Sequence, residues 1–143
     1  MFKWLHKKNK HCQMLIGAIA GNIIGSYYGF VPMKSIDFPL FNGSSLHFTD
    51  DTIMTIANAD WLLISDSLLG IMQNYGNRYS SSYGNMFYQW LREDNPQLYN
   101  NWGNGSAMRV SPIGWAFDTL EEALEVAKQS AEVTYYRKDV LLL

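Results

Sequence analysis

An all-α domain is what this sequence predicts, and three observations predict it. Apolar residues recur at helical spacing in several separate stretches, with polar start signals in front of two of them. No convincing alternating strand appears. At 143 residues, 48% apolar and 15% aromatic, the chain can bury a core and is neither disordered nor low-complexity.

The first helix is predicted over residues 13–28, where Gly17, Gly21, Gly25 and Gly29 recur every fourth residue and share a face. Each glycine weakens a helix by about 1 kcal/mol relative to alanine. Close packing of another helix against the stripe is the expected compensation, so Gly21→Leu is expected to overpack. Residues 30–48 are broken by Pro32, Pro39, Asn42, Gly43 and Ser44 and read as a loop. A second helix over 51–65 follows Thr49-Asp50-Asp51, which supplies an N-cap and acid in the first turn. Further helices are predicted over 67–77 and 83–92. Residues 96–112 read as a second long loop, rich in Asn and Gly. The last helix, 119–133, opens on the capping box Thr119-Leu120-Glu121-Glu122.

Charge and cysteine usage narrow the function classes. Formal net charge is −2, which argues against a general nucleic-acid binder. The first thirteen residues hold Lys3, Lys7, Lys8 and Lys10 and no acid, and read as a basic extension. The apolar run after it is too short and too interrupted by glycine and Asn22 to span a membrane, so a cytoplasmic protein is expected. One cysteine, Cys12, excludes an internal disulfide framework and a cysteine zinc finger.

Two clusters could carry chemistry. Thr49, Asp50 and Asp51 read either as a well-made helix cap or as oxygen ligands for a hard cation such as Mg²⁺ or Mn²⁺. Gly103-Asn104-Gly105-Ser106-Ala107-Met108-Arg109 reads either as a plain glycine turn or as a loop that cradles an anion. In the second reading backbone N–H groups approach the ligand, Ser106 donates and Arg109 supplies a cation. No strand precedes this loop and no Gly-Lys-Ser/Thr follows it, so it is neither a Rossmann nor a P-loop fingerprint.

Taken in order, GAIAGNIIGS, FTDDTIMTIANADWLL, YGNMFYQWL and GNGSAMRVSPIGWAF resemble the ADP-ribosylglycohydrolase family, which includes the dinitrogenase reductase-activating glycohydrolases. The resemblance covers about residues 14–134. It implies an all-α bundle with a dinuclear Mg²⁺ or Mn²⁺ centre that releases ADP-ribose from protein side chains or related acceptors. The implied substrates are ADP-ribosylated proteins or ADP-ribose-containing small molecules, with no nucleic acid and no membrane. Thr49, Asp50 and Asp51 fall on the family's first metal motif. Gly103, Asn104, Gly105, Ser106 and Met108 fall on the loop that wraps the phosphates and ribose, and residues 35–48 fall on a flap over the site. No catalytic residue is assigned.

The departures shape the expectation. Asn22 stands where many members have Asp. The family's second Asp-x-Asp motif is missing, since Asp139 is the sole aspartate after Asp118. Residues 135–143 diverge, ending in Val140-Leu141-Leu142-Leu143, as a truncated or frame-shifted end would. Only half of the metal ligands are therefore expected, with an inactive chain, a non-catalytic ADP-ribose-binding protein or a degraded gene product as the alternatives to a working hydrolase. The faces around Trp61 and Trp90 are expected to be left as an apolar patch that favours self-association.

Overall fold

A computed structural model describes residues 8–29, 31, 33–41, 46–79, 83–99 and 103–135. They form six helices: α1 Lys8–Tyr28, α2 Asp50–Ile64, α3 Leu68–Arg78, α4 Asn85–Trp90, α5 Ser111–Ala116 and α6 Leu120–Glu132. No strand occurs among the described residues, and Tyr99 and Tyr135 meet in an isolated parallel bridge. The all-α expectation holds. No helix among them is long and apolar enough to cross a membrane.

Local sequence explains most of the boundaries. The Thr49 side chain caps α2 by accepting from the Asp51 amide, and Asp50 and Asp51 sit in the first turn, where the helix dipole favours acid. The helix stops at Ser65, whose φ of 55° is left-handed and whose N–H closes on the Trp61 carbonyl. Thr119 caps α6, accepting from the Glu122 amide while its hydroxyl donates to the Glu122 carboxylate. The predicted capping box is thus present with the glutamate turned to the hydroxyl.

The core is built mainly on α2 and α3. Ile53, Met54, Ala57, Leu68, Ile71 and Met72 are buried there with Phe87 and Trp90 of α4 and with Leu91. Gly76 lets α3 approach closely: a Cβ there would stand 2.5 Å from Leu91 Cδ2. Trp90 is 2% exposed and stacks on Phe87, and Trp61 packs against the same cluster. The expected apolar patch is therefore corrected at Trp90, which belongs to the core, while Trp61 is partly buried against that core. Exposed apolar side chains instead include Trp115, Leu120 and Leu124, which line a cavity of about 530 Å³ between α5 and α6.

Three further expectations change. α1 begins at Lys8 rather than at residue 13, and α4 is only six residues long. α5 starts at the end of the 96–112 stretch read as loop and runs beyond it; Pro112 is in its first turn, where proline starts a helix rather than breaking one. The glycine stripe is not packed against another helix. Nothing lies within 4 Å of where a Cβ of Gly17, Gly21 or Gly25 would stand. The expectations for residues 1–7, for Asn42, Gly43 and Ser44, and for the tail from residue 136 onward lie outside the described residues.

Candidate active site

The open glycine face forms one wall of a groove. About 470 Å³ in volume, it is lined by Ala18, Gly21, Asn22, Gly25, Ser26 and Gly29 on the α1 side. The start of α2 supplies the other wall through Thr49, Asp50, Asp51 and Thr55, and Met108 joins them. A helix that presents glycine leaves this floor unobstructed, which larger side chains at those positions would fill.

Asn22 knits the two walls. Its Oδ1 accepts from the Thr49 amide at 2.9 Å and from the Thr52 hydroxyl at 2.8 Å. Those two donors fix which way the amide points. Its Nδ2 therefore donates to Thr49 Oγ1 at 2.7 Å and to Asp51 Oδ2 at 3.1 Å. One side chain thus orients the cap, one carboxylate and the first turn of α2. In the sequence Asn22 stands out only as a departure from the family pattern, because its partners lie 27 to 30 residues away.

Asp50 is half-buried at the edge of the groove. Burial and then the neighbouring Asp51 charge raise its pKa, and the Thr49 hydroxyl and nearby backbone amides only partly offset them. The Tyr83 hydroxyl is pushed up to about 12, by burial and then by the Asp50 charge. Asp50 also lines a second, smaller cavity of about 160 Å³ with Gly103, Asn104, Gly105 and Met108. Phe87, Tyr99, Arg109 and Tyr135 complete its walls, together with Gly84. Asp50 and Met108 therefore border both spaces, so groove and cavity adjoin as the two halves of a trough. The Thr55 hydroxyl donates to the Met108 carbonyl at 3.2 Å, tying the loop to α2.

Of the sequence-predicted residues, Thr49, Asp50, Asp51, Gly103, Asn104, Gly105 and Met108 come together here. Ser106 does not join them: it is 7% exposed and lines the cavity between α5 and α6. Arg109 is 1% exposed and holds the loop from behind. Its guanidinium donates to the Ser130 carbonyl and hydroxyl and to the Thr134 hydroxyl. Ser130 in turn donates to Asn58 Oδ1 at 2.7 Å, which links loop, α6 and α2 through buried polar atoms. Burial lowers the Arg109 pKa to about 10, with the Tyr99 and Tyr135 hydroxyls opposing, so the group stays charged at neutral pH. Among the described residues no carboxylate lies within ion-pair distance of it. Burial, and then Tyr135, push the Tyr99 hydroxyl well above the ordinary phenol value. Tyr99 and Tyr135 had no motif to mark them in the sequence.

Groups of three or more His, Cys, Asp or Glu side chains that could hold a metal ion do not occur among the described residues. What the trough offers a cation is oxygen from Thr49, Asp50 and Asp51. Two adjacent, partly buried carboxylates whose charges repel are a donor set suited to a hard divalent ion.

The helical domain thus sets paired carboxylates at the start of α2 and a glycine loop beside adjoining spaces. The model of the ADP-ribosylglycohydrolase family matches residues 6–142, and the chain belongs to that family. Neither a curated protein nor a solved structure matches the chain.

Proposed function

We propose that the trough is the ADP-ribose-binding site of an ADP-ribosylglycohydrolase-type hydrolase acting on ADP-ribosylated proteins or related small molecules. Thr49, Asp50 and Asp51 would hold Mg²⁺ or Mn²⁺, and residues 103–108 would hold the phosphate end. The observation that carries this reading is the shared border: Asp50 and Met108 line both the groove and the loop cavity. Clusters more than 50 residues apart in sequence thus border adjoining spaces. A bound divalent ion would bind sugar hydroxyls and lower the pKa of a water molecule. Asn22 orients Asp51 and Thr49 for that task, and Thr55 keeps the loop in register with α2.

A second reading, binding without turnover, is favoured by the carboxylate count. Asp50 and Asp51 are the sole carboxylates lining groove and cavity among the described residues. Two-ion hydrolysis needs ligands converging from both sides, so the 143-residue chain alone is expected to bind ADP-ribose without cleaving it.

Calorimetric titration of ADP-ribose with and without Mg²⁺ tests both readings, alongside release of ADP-ribose from ADP-ribosyl-arginine and ADP-ribosyl-serine peptides. The expected result is Mg²⁺-enhanced binding that Asp50→Ala abolishes, with no release. Binding indifferent to Asp50→Ala would remove the proposed site. Metal-dependent release that Asp50→Ala abolishes would replace the second reading with a working hydrolase.

A further inference from the structure

The glycine loop already has an oxygen in its grasp. The Tyr135 hydroxyl accepts from the Gly105 amide at 3.1 Å and donates to the Gly103 carbonyl at 3.2 Å. A Cβ on Gly105 would stand 2.7 Å from that hydroxyl, so the loop admits the phenol only because residue 105 is glycine. The side chain is 4% exposed, its ring lies 5.8 Å from that of Tyr99, and the Tyr99 amide donates to the Thr134 carbonyl. The amides of Ala107 and Met108 are turned inward, onto the Asn104 carbonyl. Gly105 thus presents a donor to the cavity that a phosphate oxygen would want, and Tyr135 holds it.

We propose that the Tyr135 hydroxyl is a built-in occupant of the glycine loop, standing where an oxygen of a phosphate or diphosphate would sit and weakening the loop's hold on such a ligand. The inference rests on the reading of the trough as a phosphate-bearing ligand site. A phosphate oxygen accepts hydrogen bonds and, when ionised, cannot replace the bond that the phenol donates to Gly103. Entry of an anion therefore costs both of the hydroxyl's hydrogen bonds and returns one. Arg109, buried behind the loop with no carboxylate partner among the described residues, supplies the positive charge that favours the exchange. The occupant lies 30 residues beyond Gly105, so the loop's affinity is set by a segment outside the loop.

Tyr135→Phe keeps the ring against Tyr99 and removes only the competing oxygen. Removing the competitor should tighten binding of sodium diphosphate and of ADP-ribose about three- to tenfold, the worth of one ordinary hydrogen bond. The Gly105 amide resonance should shift in the variant and shift again when diphosphate is added. Tyr88→Phe, at an exposed tyrosine that lines neither groove nor cavity, should leave both affinities unchanged. Equal or weaker binding in Tyr135→Phe overturns the inference and leaves the proposed function standing. Tighter diphosphate binding with no ADP-ribose binding keeps the inference and removes that reading. No binding of either ligand by either protein overturns both. If Tyr135→Phe fails to fold, the ring resonances of Tyr135 in the unmodified chain decide: a shift on saturation with diphosphate supports displacement, and unmoved resonances refute it.

Discussion

Asp50 is placed against its own stability. It stands half-buried beside a like charge, and the resulting rise in its pKa is a statement about folding. Below the ordinary carboxylate range the group is protonated in folded and unfolded chains alike and costs nothing. As pH rises through its raised native value, the unfolded chain gives up the proton more readily, and stability falls. At neutral pH the ionised carboxylate is therefore a net burden, since burial and Asp51 outweigh the helix-start contacts that favour it. Asp50→Asn keeps the shape and removes the charge. It should raise the melting temperature at pH 7, with the gain shrinking toward acid pH, while Mg²⁺-enhanced ADP-ribose binding is lost. A lower melting temperature at pH 7 would show that the helix dipole and cap contacts dominate instead. A residue kept at a cost to folding is the signature expected of a ligand-binding position.

Elements whose causes are local were legible in the sequence, and those whose causes are distant were not. α2 and α6 announce themselves through Thr49 and Thr119, each of which caps the turn beside it. α5 was hidden because Pro112 has one meaning inside a helix and the opposite meaning at its start. The glycine stripe of α1 was read correctly as a face but wrongly as a packed one. Spacing says which residues share a side and not what stands opposite them. The open groove reverses the expected mutational outcome. Gly21→Ala meets no neighbour and gains helix propensity, so it should stabilise the chain by about 0.5–1 kcal/mol. Gly21→Leu should likewise fold without loss of melting temperature, yet weaken ADP-ribose binding by narrowing the groove. A melting temperature lowered by Gly21→Leu would return the stripe to the role of a packing surface. The site followed the same division. The Thr49–Asp51 and Gly103–Met108 clusters were visible as motifs, whereas Asn22, Tyr99 and Tyr135 act through partners tens of residues away.

At the scale of the molecule, the core of α2, α3 and α4 is a platform that presents the first turn of α2 to one side. α1 closes that side as a groove, through Asn22, and the Arg109–Ser130–Asn58 network holds the glycine loop at its end. Loop and carboxylates thus meet because three separate contacts, through Asn22, Thr55 and Asn58, converge on α2, whose residues 52–55 and 57–59 are buried and allow it little freedom. The central claim is that these parts make one ligand site. Amide resonances followed during an ADP-ribose titration in the presence of Mg²⁺ test it most directly. Gly21, Gly25, Thr49, Asp50, Asp51, Gly105 and Met108 should shift together along one saturation curve, while Ala123 and Ala127, at the cavity between α5 and α6, stay still. Shifts confined to the α5–α6 cavity, or two curves that separate the α2 turn from the glycine loop, would contradict the account.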